Sequence, residues 1–328
     1  MALLLSRSDV QSLLSMGDCI EIIEEAFRCH ALGNVVMPQR TAIRIEKHHG
    51  LHLGMPAYIG GETDALGLKV VTVYPDNPAR HGLPTTMGLL LLNDPATGAP
   101  LAVMDAGFLT GMRTGAVSGV ATKYLARTSA TRLGVFGAGV MAYRQVEAVC
   151  VVRPIKTIHC FDIDTARAEN FASQVSASLG VEVRPVPSAR DAVENMDIIV
   201  TATSAARPVF DGTWLVPGQH INGIGSHSPA ARELDTATIV RAKAIPDSID
   251  ACLVEAGDFL IPIDEGAITK DHLRASLGEV IAGLKPGRES PDEITLFKSV
   301  GLALQDVSVA SAVYRKALEA GVGFSFSF

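Results

Sequence analysis

The stretch Thr131-Arg132-Leu133-Gly134-Val135-Phe136 runs directly into Gly137-Ala138-Gly139-Val140-Met141-Ala142, and a helix-forming segment follows. An apolar strand that breaks into G-x-G-x-x-A and then opens a helix leaves few folds open. Gly137 suits a tight turn, Gly139 lets an anionic group approach the backbone, and Ala142 permits close packing of helix on strand. The first helical amides, from Val140 and Met141, face outward with the positive end of the helix dipole behind them. This strand–turn–helix unit is suited to the pyrophosphate of a dinucleotide. Asp162 ends the next strand, 23 positions after Gly139, where a carboxylate accepts hydrogen bonds from ribose hydroxyls. A 2′-phosphate there meets like charge, with Arg167 as the nearby base, so NAD(H) is favoured over NADP(H). Asp164 is the better helix cap.

Strands and helices go on alternating, through IKTIHCF, a helix from Ala166, VEVRPV, a short helix near Ala189 to Glu194, DIIVTAT and HINGIG. That order predicts an α/β fold with a Rossmann-type, doubly wound parallel sheet over residues 127–301. Thr201, Thr203, Ser204 and Gly225 fall at carboxyl ends of its strands, where such sheets bind ligands.

Residues 1–126 have another texture. Two short helices, with caps read at Ser8 with Gln11 and Asp18 with Glu21, precede the strand-like RTAIRIE, LHLGMPAYI, LGLKVVTVY, MGLLLLND and APLAVMD. A glycine-rich helix follows over 107–126, in which Gly111, Gly115 and Gly119 imply a close neighbour. The last helix, Leu302 to Ala320, has a 3.6-residue apolar period and is expected to return to this part. The second domain is therefore expected to be α+β, residues 1–126 with 302–328.

Charge excludes some partners. With 28 Lys and Arg against 35 Asp and Glu, and no run of either sign, nucleic acid and anionic membranes are poor fits. Ala2 to Leu5 is too short for a targeting core, and no apolar run approaches the roughly 20 residues of a membrane span. Five cysteines without a CxxC disfavour a disulfide framework and a zinc site, no His/Asp/Glu cluster has metal-ligand spacing, and a reducing cytoplasm is expected.

Several motifs in order, Met37-Pro38-Gln39-Arg40-Thr41, Gly67-Leu68-Lys69, Leu109-Thr110-Gly111-Met112-Arg113-Thr114, Gly137 to Val140 and Gly287 to Gly301, make the chain resemble the ornithine cyclodeaminase/mu-crystallin family. The resemblance implies NAD(H)- or NADP(H)-dependent chemistry on small amino or imino acids, in a homodimer. It places Arg40, Lys69 and Arg113 at the substrate carboxylate, Thr114 near the cofactor phosphates and Ser299 beside the nicotinamide. Cations suit that task on physical grounds, because a carboxylate held by paired charged donors fixes C2 toward the nicotinamide. Met55 and His52, on LHLGMPAYI, are expected at the pocket wall.

One position departs from the family pattern. In Gly225-Ser226-His227-Ser228-Pro229, histidine stands where ornithine cyclodeaminases carry an aspartate for the substrate's distal amine. A neutral or cationic imidazole cannot neutralise an ammonium. The expectation is therefore a reductase of a cyclic imino acid, Δ1-pyrroline-2-carboxylate or Δ1-piperideine-2-carboxylate, with Lys69, Arg113 and His227 as catalytic candidates. An ornithine or lysine cyclodeaminase, an alanine-type dehydrogenase, a hydroxyproline dehydratase and a non-enzymatic cofactor-binding protein are the alternatives.

Overall fold

In the computed structural model, which describes residues 1–327, the chain forms two compact units: Met1–Arg113 with the chain from Leu302 onward, and Thr114–Gly301. The first begins with strand β1 (Ala2–Leu5) and helices α1 (Arg7–Leu13) and α2 (Met16–Ala31). Their caps are Ser6, paired reciprocally with Asp9, and Ser15, bonded to Asp18, which corrects the sequence reading of Ser8 and Asp18. The chain is still extended at Ser6, so that hydroxyl meets the amide three residues on, whereas Ser8 already lies inside the helix.

Strands β2 (Val35–Val36), β3 (Thr41–Ile45), β4 (Gly50–Ile59) and β5 (Ala65–Val73) follow, then helix α3 (Asn77–His81) and strands β6 (Thr86–Asn93) and β7 (Pro100–Asp105). From β4 to β7 the neighbours run antiparallel in chain order, and β1 joins in parallel beyond β7. Alternation in the sequence marked these strands, and the Asp94 carboxylate closes the β6–β7 turn by accepting from the Ala96 and Thr97 amides. Helix α4 (Ala106–Leu125) is buried along most of its length. Lys123 near its end is exposed, whereas the buried Arg113 needs a partner inside the protein.

The second unit contains β8 (Arg132–Phe136), α5 (Val140–Val152), β9 (Thr157–Phe161), α6 (Thr165–Leu179), β10 (Glu182–Pro185), β11 (Ile198–Thr201) and β12 (His220–Gly223). It continues with α7 (Thr236–Arg241), β13 (Lys243–Pro246), α8 (Ile249–Glu255), α9 (Gly257–Asp264), α10 (Leu277–Ile281) and β14 (Thr295–Lys298). The sheet order β10-β9-β8-β11-β12-β14-β13 is parallel throughout, and strand order reverses between β8 and β11. Both faces are apolar. Leu133, Val135, Ile198 and Val200 enter one core, while Phe136 and Ile199 enter the other. The short helix expected at 189–194 is a single 3-10 turn at Arg190–Ala192. A Cβ on Gly115 would lie 2.4 Å from the Arg144 carbonyl oxygen, which is the close neighbour that the glycines of α4 implied.

Finally α11 (Ala303–Ala320) crosses back over α2, β4 and β5, and β15 (Phe324–Phe326) pairs with β1. None of the described helices is long and apolar enough to cross a membrane. No group of three or more His, Cys, Asp or Glu among the described residues is placed to hold a metal ion.

Candidate functional site

Strand alternation forces a lysine into the interior of the first unit. Ala65, Gly67, Lys69 and Val71 share the inward face of β5, and Lys69 is 1% exposed. Its Nζ lies 2.7 Å from Asp306 Oδ2, and Arg113 Nε donates to the other carboxylate oxygen at 3.0 Å. One Nη of Arg113 donates to Gln305 Oε1 at 2.5 Å. Asp306 and Gln305 lie in the first turn of α11, where an anion is favoured by the helix dipole, and both are fully buried. Met55 stands opposite Lys69 in the β4–β5 ladder and is buried, and His52 lies on the same strand, half-buried.

Burial, foremost, pushes the Lys69 ammonium down from its usual range to about 8; Asp306 opposes that shift, and the charges of Arg113 and Arg40 add to it. Arg40 therefore belongs to the same electrostatic cluster, half-buried just before β3. Two buried cations, Lys69 and Arg113, share one carboxylate. Sequence reasoning found the cations and missed Asp306 and Gln305, whose one signal is a polar pair inside the apolar run Leu302 to Val313.

In the second unit the glycine loop has the form its sequence implied. Gly137 has φ +96°, and a Cβ there would sit 2.8 Å from the Ala202 carbonyl oxygen, so glycine is needed by the fold itself. Gly139 is different, because a Cβ on it would meet nothing nearer than an Arg167 Nη at 4.0 Å. Protein packing does not demand glycine there. The bare backbone keeps the loop surface open, and α5 has no side-chain cap over the amides that begin at Val140 and Met141. A phosphate fits that cradle.

Asp162 has a structural duty beyond the one read from sequence. Its Oδ2 accepts from the Ala138 amide at 2.9 Å and its Oδ1 from the Asp164 amide at 3.0 Å, which props up the glycine loop. Lone pairs remain on both oxygens for further donors. Asp164 caps α6, as expected, and Arg167 reaches back from α6 over Gly139. Phe161, Asp162, Ile163, Pro185, Val186 and Pro187 line a pocket beside the loop.

The strand-end residues converge on a glutamate that sequence reasoning missed. Glu233 Oε2 accepts from Thr201 Oγ1 at 2.8 Å and the Gly225 amide at 2.6 Å, and Oε1 accepts from the amide and hydroxyl of Thr203, both at 2.7 Å. These hydroxyls thus brace β11 against β12. Burial raises the Glu233 pKa, opposed by the nearby Lys298 ammonium. Lys298 pairs with Asp258 at 2.8 Å and donates to the Ser226 carbonyl at 2.7 Å, which holds the loop carrying His227. His227 itself is exposed, as is Ser204. Ser299 donates to Asp247 at 2.7 Å, and the buried Thr114 accepts from Gln145 through its carbonyl. In the sequence Glu233, Asp247, Asp258 and Lys298 are indistinguishable from surface charges.

Residues 1–321 match the ornithine cyclodeaminase/mu-crystallin family. The Δ1-pyrroline-2-carboxylate reductase of Thermococcus litoralis, solved in complex with NADH and L-proline, is 49% identical with a TM-score of 0.96 over 99% of this chain and 100% of that one. An archaeal alanine dehydrogenase dimer with bound NAD is 41% identical with a TM-score of 0.94 over 100% of this chain and 99% of that one. A Δ1-pyrroline-2-carboxylate reductase of Bacillus cereus is 39% identical over 99% of this chain and 100% of its own length.

Proposed function

The chain belongs to the ornithine cyclodeaminase/mu-crystallin family, and from that premise we propose that it reduces a cyclic imino acid, Δ1-pyrroline-2-carboxylate or its six-membered homologue, to proline or pipecolate. The observation that carries this reading is the buried cluster of Lys69, Arg113 and Asp306 with Arg40 beside it, which holds more positive than negative charge. An uncompensated buried cation is costly, and one substrate carboxylate offsets it. Relatives that act on imino or amino acids, one of them solved with NADH and L-proline, support the same reading.

When bound, the dinucleotide supplies the hydride. Gly137, Gly139, Val140 and Met141 would hold its pyrophosphate with Arg167 close by, Asp162 would take the ribose hydroxyls, and the Pro185–Pro187 pocket would receive the adenine. Thr203, Gly225, Thr114 and Ser299 would stand on the nicotinamide side, with the buried Thr201 bracing Thr203 and Gly225 through Glu233. Arg40 and Arg113 grip the substrate carboxylate beside Met55. Lys69 does so too, and it is also the acid of the cluster: a guanidinium stays protonated, whereas an ammonium with a pKa of about 8 can give a proton to the ring nitrogen as C2 is reduced. We infer a homodimer as well, supported by exposed apolar strand positions such as Val36, Ile43 and Leu89 and by the dimeric relative.

The decisive experiment follows reduced-nicotinamide absorbance with Δ1-pyrroline-2-carboxylate, Δ1-piperideine-2-carboxylate, and pyruvate with ammonia. Fast oxidation of NADH by the cyclic imines, slower oxidation of NADPH, and no ammonia released from ornithine with NAD+ are expected. Preference for pyruvate and ammonia would point instead to an amino acid dehydrogenase, a reading the 41% identical relative favours. Conversion of ornithine to proline with loss of ammonia would overturn the reductase reading.

Lys69 sets a pH dependence. The charged form prevails below about 8, so kcat/KM is expected to fall roughly tenfold per unit above that pH, with the limb moved upward in kcat because bound carboxylate favours the ammonium. Lys69→Arg should abolish the limb, since arginine does not deprotonate. Stability runs the opposite way. The folded pKa lies below the unfolded one, so this group adds stability as pH rises from about 8 toward 10.5.

A further inference from the structure

We propose that Gln305 is a substrate-binding residue: its side-chain amide nitrogen donates a hydrogen bond to the carboxylate that Arg113 holds. Resting on the reading of the buried cations as a carboxylate site, it adds a donor that no charge pattern reveals. Gln305 is fully buried and separated from Arg113 by 192 positions in the chain. Its orientation follows from chemistry. A guanidinium only donates, so the atom facing the Arg113 Nη at 2.5 Å must be the carbonyl oxygen Oε1, which also takes the Leu302 amide at 3.5 Å. The NH2 end is then forced to the other side, and Nε2 has no hydrogen-bond partner among the described residues.

A buried amide donor without a partner is costly, and native proteins rarely retain one without a use. Here it belongs to a side chain already in contact with Arg113, whose Nε serves Asp306 and whose one Nη serves Gln305. The second Nη donates to no protein acceptor among the described residues. An anion with two acceptor oxygens can take that Nη and the Gln305 Nε2 together and also offset the surplus positive charge of Lys69 and Arg113 over Asp306, which a neutral group does not do and a cation opposes. The ligand class is a monocarboxylate. Gln305 then discriminates against the corresponding carboxamide, whose NH2 would face a donor.

The test uses full-length enzyme with three probes: Δ1-pyrroline-2-carboxylate for kinetics, and L-proline and L-prolinamide for binding by calorimetry in the presence of NAD+. Loss of one charged hydrogen bond in Gln305→Leu should weaken L-proline about ten- to a hundredfold, with KM rising by a similar factor and kcat within about threefold. Gln305→Glu turns the donor into an acceptor. It should weaken L-proline further and bind L-prolinamide at least as well as wild type, reversing the preference between them; a merely structural role for Gln305 would weaken both ligands alike. L-proline affinity within twofold of wild type in Gln305→Leu, or an unreversed preference in Gln305→Glu, overturns the inference. If Gln305→Leu fails to fold, the isosteric Gln305→Glu decides alone. A wild type that binds L-proline through Gln305 yet reduces no imine would sink the reductase proposal and leave this one standing. A wild type that binds no carboxylate would sink both.

Discussion

Asp306→Ala is expected to lose about 3–5 kcal/mol of stability at pH 7, because it leaves the Lys69 ammonium and the Arg113 guanidinium buried without their counter-ion. In a chain of this size that is a fall in Tm of roughly 4–7 °C, readable by scanning calorimetry. The pH dependence identifies the cause. Asp306 opposes the downward shift of Lys69, so without it the lysine goes neutral at lower pH, and the difference between variant and wild type should shrink as pH rises toward about 8 and stay constant above it. A variant within about 2 °C of wild type at pH 7 would show that solvent or another group neutralises these cations. Asp306→Asn, which keeps the shape and loses the charge, should fall between the two.

Arg113→Ala is expected to reduce kcat/KM at least 10- to 150-fold, the kinetic equivalent of one charged hydrogen bond to the substrate carboxylate at about 1.5–3 kcal/mol. The loss should exceed that range, since the substitution also frees Gln305 and removes one of the two cations on Asp306. Arg113→Lys restores the charge without the planar fork and should recover only part of the activity. Cofactor affinity, measured by quenching or calorimetry with NADH, should stay near wild type in both variants. A folded Arg113→Ala enzyme with near-wild-type kcat/KM would remove the residue from the substrate site.

The dinucleotide half was legible because its chemistry is local. Gly137 has a positive φ that glycine adopts freely, and a strand breaking into closely spaced glycines before a helix is a pattern of consecutive residues. The strands of the first unit were legible for a similar reason, since a period of two is a property of consecutive residues. Lys69 carried its own signal as a lysine in the inward row of β5. Where the reading failed, the deciding partner was distant. Ser6 and Ser8 compete for the first cap, and the end of β1, set by its pairing with β7, chose Ser6. The strands β13 and β14, four residues each, exist because parallel neighbours satisfy their amides, not because their sequences insist on it.

The sequence by itself determined the turn that can cradle a pyrophosphate, the alternation that drives Lys69 inward, and the choice of positive groups to meet a carboxylate. Only the tertiary structure decided how those charges are balanced. Asp306 meets Arg113 across 193 positions, and Glu233 gathers Thr201, Thr203 and Gly225 from separate strand ends. A buried charge must find its counter-charge somewhere, but sequence does not say where, because the energy of that pairing depends on distance in space and on exclusion of water, neither of which any local pattern encodes.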